Sequence, residues 1–232
     1  MNKKILIAPS ILTVDYMHLE EEIKKIENSD INYWHLDIMD GHFVPQISFG
    51  QSIVKLLKKN TRLPIEAHLM VSNPEIQALS FLKIGIERVI VHIESIKDPT
   101  FLINKTHNMN KEFGLAINPD TSISDIEPFL SKIDQVTIMS VNPGEGGQSM
   151  IMQSLDKIKY LIEISKKNKN QFNIEIDGGV KIENLHSCIE SGANMLVMGS
   201  SIFNQDLDRD KTITKIRMKI DNIQNLTGDA NN

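Results

Sequence analysis

The chain has 232 residues, 41% hydrophobic and 24% charged, a balance that excludes a disordered or fibrous polypeptide and fits one large domain with a sizeable core. A formal charge of −5 gives no support for nucleic acid or an anionic membrane as partner, because both require a basic surface. The single cysteine, Cys188, has no second cysteine to pair with; it reads as a small buried helix residue of a protein in a reducing cytoplasm.

The opening "MNKKILIAPS" places two lysines before an apolar run that Pro9 breaks, too short for a signal h-region or a membrane span, so it reads as a first strand. Seven further strand-like runs follow: "INYWHLDIM", "PIEAHLM", "RVIVHIE", "GLAIN", "QVTIMSV", "FNIEID" and "NMLVMGS". Helical spacing separates them, as in Tyr16, Leu19, Ile23 and Ile26 early on, or Leu155, Ile158 and Ile162 later. Asn73-Pro74 and Asp98-Pro99 each set a capping side chain before a proline at a helix start, and Ser122 with Asp125 has the spacing of a capping box. Strict alternation without a linker predicts one parallel α/β domain, and eight units predict a closed (β/α)8 TIM barrel over residues 1–225 with a polar tail at 226–232.

In such a barrel the chemistry sits at the C-terminal strand ends. His35 and Asp37 are two residues apart on strand 2 and so share a face. His68 on strand 3 and Asp177 on strand 7 fall at equivalent heights. Four unpaired polar groups buried together would each be costly, so the quartet His35, Asp37, His68 and Asp177 predicts a site for one divalent metal ion. Imidazole plus carboxylate suits Zn, Fe(II), Mn or Co alike. His92, with Glu94 as its same-face acidic neighbour, reads as a hydrogen-bonded core or rim residue. His18, His42, His107 and His186 read as surface residues. Glycines in "NPGEGGQ" (142–148), "DGGV" (177–180) and "GSS" (199–201) follow strands 6, 7 and 8, where barrels commonly hold phosphate with backbone N–H groups. No G-x-G-x-x-G fingerprint is present, so no dinucleotide is expected.

Together "IAPSIL" (7–12), "HLDIMDGHFVP" (35–45), "HLMV" (68–71), "MSVNPGEGGQ" (139–148), "IDGGV" (176–180) and "GSSIF" (199–203) resemble the ribulose-phosphate 3-epimerase family, which includes allulose-6-phosphate 3-epimerases. The resemblance implies metal-dependent interconversion of D-ribulose 5-phosphate and D-xylulose 5-phosphate. By position, it implies that His35, Asp37, His68 and Asp177 bind the metal and that Asp37 and Asp177 form the acid/base pair. It further implies that Ser10, His68, Met39, Met70 and Met139 contact the substrate, and that Gly144, Glu145, Gly146, Gly147, Gly178, Gly179, Gly199 and Ser200 grip its phosphate. It also implies a homo-oligomer, with a small ketose phosphate and neither nucleic acid nor membrane as partner. The alternatives are a 3-epimerase of a hexulose phosphate such as D-allulose 6-phosphate, or a barrel that binds a phosphosugar without turning it over. The related decarboxylase and hexulose-phosphate synthase barrels place an Asp-x-Lys-x-x-Asp array on their strands, and "HLDIMDGH" has no lysine there. One residue departs from the family pattern: Glu145 stands where an aromatic is usual. Its carboxylate is expected either to face solvent or to touch the sugar.

Overall fold

Eight short strands, each apolar on the side facing the helices, pair in parallel around a ring in the order β1-β8-β7-β6-β5-β4-β3-β2. The computed structural model describes residues 4–168, 171–203 and 208–229. The strands are β1 (Leu6–Pro9), β2 (Trp34–Met39), β3 (Ile65–Met70), β4 (Arg88–His92), β5 (Glu112–Ile117), β6 (Gln135–Met139), β7 (Asn173–Asp177) and β8 (Met195–Met198). A parallel bridge between Ser10 and His35 joins β1 to β2 and closes the ring. The helices are α1 (Leu19–Ile26), α2 (Gln51–Asn60), α3 (Pro74–Ile84), α4 (Thr100–His107), α5 (Ser154–Asn168), α6 (Leu185–Ser191) and α7 (Arg209–Asp229).

The period-2 pattern sorts the strands into an apolar outside and a polar inside. Leu36, Ile38, Leu69, Val89, Val91, Leu115 and Ile176 join the large core between strands and helices. Their alternating neighbours His35, Asp37, Glu66, His68, Arg88, Gln135, Thr137 and Glu175 are buried and polar. Each fully buried Leu or Ile contributes roughly 1.5–3 kcal/mol, so the outer layer holds the ring and leaves the inner layer for chemistry.

Several local expectations are corrected. Between β5 and β6 there is no α-helix but two 3-10 turns, Ile123–Asp125 and Glu127–Phe129. Ser122 caps the first turn through Ser124 N–H, and Pro128 sits too soon afterwards for an α-helix to propagate. Asn73 makes no side-chain cap bond, although Pro74 does open α3. Asp98 accepts the Thr100 N–H at 2.9 Å, but the N-cap of α4 is Pro99 and the helix opens at Thr100, one residue later than expected. Tyr16 lies before α1 in a 3-10 turn and is half exposed, while Leu19, Ile23 and Ile26 form the buried stripe. In α5 the buried stripe runs Leu155, Ile158, Leu161 and Ile164, with Ile162 at its margin. Helix α7 runs through the boundary drawn at 225, since the buried series Ile213, Ile216, Ile220 and Ile223 carries it to Asp229; residues 230–232 of that tail lie outside the described residues. Among the described residues no helix is long and apolar enough to cross a membrane.

Candidate active site

Strand register sets Asp37 beside His68 across β2 and β3, with His35 opposite Glu66 one inward-facing position deeper. Met39 pairs with Met70, and Met139 with Asp177 across β6 and β7. His35 Nε2 lies 3.3 Å from Asp37 Oδ1 and 3.6 Å from Asp177 Oδ2. His68 Nδ1 lies 3.1 Å from Asp37 Oδ1 and 3.3 Å from Asp177 Oδ2. Ligands bound tetrahedrally at ordinary zinc distances are spaced about 3.4 Å apart, so these four atoms already have the spacing of a coordination shell. His35 Nε2 is a buried ring nitrogen with no hydrogen bond, aimed at the point the other three surround. The residues present therefore fit a divalent ion, and the sequence expectation of a metal-type cluster holds.

Three of the four donors are oriented from behind. His35 Nδ1 is 2.7 Å from Glu66 Oε1, and Glu66 Oε2 accepts from Arg88 Nη1 at 2.7 Å. His68 Nε2 is 2.8 Å from His92 Nε2, and His92 Nδ1 is 3.1 Å from Glu94 Oε2. Ser10 Oγ donates to Asp37 Oδ2 at 2.6 Å. Beneath the quartet Arg88 also donates to Glu112 and to Gln135 Oε1, and Gln135 and Thr137 both donate to Glu175 Oε1. The sequence carries a signal for this lower layer: Glu66, Glu175 and Thr137 each stand two residues before a mouth residue on the same face. His92-x-Glu94 repeats the spacing of His35-x-Asp37, so the pair behind His68 was also visible. His92 is hydrogen-bonded and wholly buried, as expected, but its partner is a residue of the quartet.

Electrostatics follow from burial and these partners. Burial opposes a charged His35 ring, but Asp37 and Glu66 outweigh it and hold its pKa well above the histidine range. Burial likewise opposes the Asp37 carboxylate, and the two histidines still pull its pKa below the usual range. Glu175 goes the other way, because burial and the neighbouring Glu66 charge both favour its neutral acid. Burial pushes His92 down to about 4.

Above the quartet lies a cleft that opens to solvent. Ser10, Asp37, Met39, Met70, Met139, Asp177, the glycines at 144, 146, 147, 178, 179 and 199, Glu145 and Ser200 all line it. His35 and His68 do not; both are 0% exposed and lie beneath its floor. Gly178 has φ +115°, and a Cβ there would sit 2.5 Å from the Val141 side chain. At Gly179, φ +64°, a Cβ would meet Met150 N at 2.6 Å. Only glycine permits this close turn. The loop carrying Glu145 crosses the mouth, where a Cβ on Gly146 would meet Thr13 and one on Gly144 would meet Gln46. The Glu145 carboxylate accepts from Gln46 Nε2 at 2.8 Å, a protein partner that neither sequence expectation named.

A parallel barrel with a two-imidazole, two-carboxylate cluster under glycine loops defines a class: an enzyme with a metal-type centre at the strand ends and an open cleft above it. A profile of the ribulose-phosphate 3 epimerase family matches residues 6–203, and the chain belongs to that family, whose members are isomerases acting on carbohydrate phosphates. The ribulose-phosphate 3-epimerase of Bacillus subtilis is 40% identical over 214 residues, covering 92% of this chain and 98% of the relative. The chloroplastic ribulose-5-phosphate-3-epimerase of Arabidopsis thaliana is 41% identical over 204 residues, covering 86% of this chain and 72% of the relative. Among solved structures, KGPDC from Streptococcus mutans superposes with a TM-score of 0.68 over 96% of this chain and 99% of that one, at 14% identity, a likeness of fold.

Proposed function

We propose that the chain epimerises D-ribulose 5-phosphate and D-xylulose 5-phosphate at C3, with Asp37 and Asp177 moving the proton. The observation that supports this reading best is the placement of those two carboxylates. They reach one cleft floor from β2 and β7, each with one oxygen turned toward the buried histidines. Inverting a carbon beside a ketone without a hydride carrier needs proton transfer on both faces of a planar intermediate. One aspartate takes the C3 proton and the other returns a proton to the opposite face.

A divalent ion held by His35, Asp37, His68 and Asp177 would supply Lewis-acid stabilisation of the negative charge that develops on the substrate oxygens. Ser10 Oγ, by donating to Asp37 Oδ2, fixes that carboxylate for transfer. Met39, Met70 and Met139, all nearly buried, wall the cleft with soft apolar surface and exclude water from the reacting carbon. The turns at Gly178-Gly179 and Gly199-Ser200 are suited to hold the phosphate by backbone N–H groups, so an acidic protein needs no basic patch for the task. The names of the family relatives support the pentulose as substrate, and Glu145, paired with Gln46, gives the hexulose alternative no support.

The test is solvent exchange. Metal-loaded protein in D2O is expected to place deuterium at C3 of ribulose 5-phosphate while forming xylulose 5-phosphate, and chelator is expected to abolish both. Faster exchange on allulose 6-phosphate would move the substrate to the hexulose, and loaded protein that exchanges neither sugar would sink the reading.

A further inference from the structure

We infer that Glu94, acting through His92, decides which nitrogen of His68 carries the proton and thereby frees His68 Nδ1 as a lone-pair donor for the metal. The inference rests on the proposed function above for the meaning of that lone pair. Both residues are positioning residues, since neither reaches the cleft.

The rings of His68 and His92 are wholly buried and stack with centroids 4.9 Å apart and planes 21° from parallel. Their Nε2 atoms are 2.8 Å apart, so one donates and the other accepts. The next contact outward sets the direction. His92 Nδ1 faces Glu94 Oε2 at 3.1 Å, and a carboxylate accepts only, so Nδ1 carries the proton. Nε2 of the neutral His92 ring is then the acceptor, and His68 must donate from its own Nε2. His68 Nδ1 faces the carboxylates of Asp37 and Asp177 at 3.1 and 3.3 Å, and with the other nitrogen committed to His92 it is the one whose lone pair a bound ion would take in place of a proton.

Glu94 is itself held in place. Its Oε1 accepts the Asn118 N–H at 2.7 Å and the hydroxyl of Thr121. Phe43 packs on the His92 ring with centroids 4.8 Å apart. The chain of donors therefore starts at the backbone after β5 and ends at the quartet. At His35 a carboxylate faces Nδ1 directly, Glu66 Oε1 at 2.7 Å. Outer contacts of this kind fix the tautomer of a ligand histidine.

Glu94→Gln gives a sharp test, because Asn118 N–H still claims the side-chain oxygen and the amide NH2 must then face His92 Nδ1. That reverses the donors at His92 Nδ1 and between the two Nε2 atoms and puts the His68 proton on Nδ1. Histidine 15N spectra of the whole protein without added metal are expected to show His92 protonated at Nδ1 in the wild type and at Nε2 in Glu94→Gln. Co(II) affinity, measured by chelator competition, is expected to fall roughly 10–100-fold in Glu94→Gln. The loss should be smaller in Glu94→Ala, which removes the anchor without reversing it; a merely structural role predicts the opposite order. A wild-type His92 protonated at Nε2, or Co(II) binding to Glu94→Gln within twofold of wild type, would overturn the inference. Wild type that binds no Co(II) while His92 is protonated at Nδ1 would instead break the metal reading and, with it, the ligand role given to His68.

Discussion

The floor and the rim of the cleft are built on opposite plans. The floor is made of side chains on strands, buried and cross-linked through Glu66, Arg88 and His92 into positions that β-register dictates. The rim is made of backbone on loops, where Gly178 and Gly179 hold positive φ and a side chain would collide with Val141 or Met150. A floor residue therefore fails by losing a functional group, whereas a rim residue fails by gaining one. The difference separates chemistry from grip: charge transfer needs fixed donors, and a phosphate needs close approach.

The comparison can be broken most sharply at the floor. Asp177→Asn is expected to lower kcat by about 10^3-fold or more while circular dichroism and ribulose 5-phosphate binding persist, since it removes one proton-transfer group. Preserved kcat would remove Asp177 from the acid/base pair. Next in size is Arg88→Met, which strands the buried Glu66 carboxylate and is expected to cost about 3–5 kcal/mol in urea unfolding. A loss below about 1 kcal/mol would show that the lower layer does not depend on this ion pair. At the rim, Gly179→Ala is expected to raise KM for the sugar phosphate about tenfold and leave Co(II) affinity within twofold; equal damage to both would erase the distinction between floor and rim. Gln46→Ala should do least, changing KM by less than about fivefold, because the bond it removes to Glu145 is exposed.

A control far from both regions concerns Cys188. Burial pushes its thiol up to about 12, so it stays protonated and unreactive in native protein at pH 8. The unfolded thiol ionises at its ordinary value, about 8.5, and the folded one does not, so the contribution of Cys188 to stability is complete below that range and falls as pH rises through it. A disulfide reagent should label it only after denaturant is added, and rapid labelling of native protein would contradict its burial against Met150.

What could be read from sequence follows the same division. All eight strands were legible, because runs such as "RVIVHIE" carry the apolar pattern of a buried parallel strand in the residues themselves. The quartet was legible because His35-x-Asp37 fixes a shared face before any fold is known. The segment between β5 and β6 was misread because Ser122 and Asp125 have helix-start chemistry, while Pro128 and tertiary packing of Ile123 and Ile126 decide for 3-10 turns. The partner of Glu145 was unreadable, since Gln46 lies 99 positions away and only loop crossing brings them together. Arg88 was passed over for the same reason. Its partners Glu66, Glu112 and Gln135 come from three other strands, and no local pattern pairs Arg88 with any of them.

Ring closure has a consequence for how the chain folds. The seam between β1 and β2 is held by the Ser10–His35 bridge, by Asn32 bonded to Ile7, and by Arg217 of α7. That arginine donates to Ile5 O at 2.6 Å, to Asp30 O at 2.7 Å and to Asn32 Oδ1 at 2.5 Å. The β1 edge of the ring is thus fastened by α7, which follows the last strand, β8. Until that helix docks, the seam between β1 and β2 lacks these three bonds, and the histidine at that seam is His35.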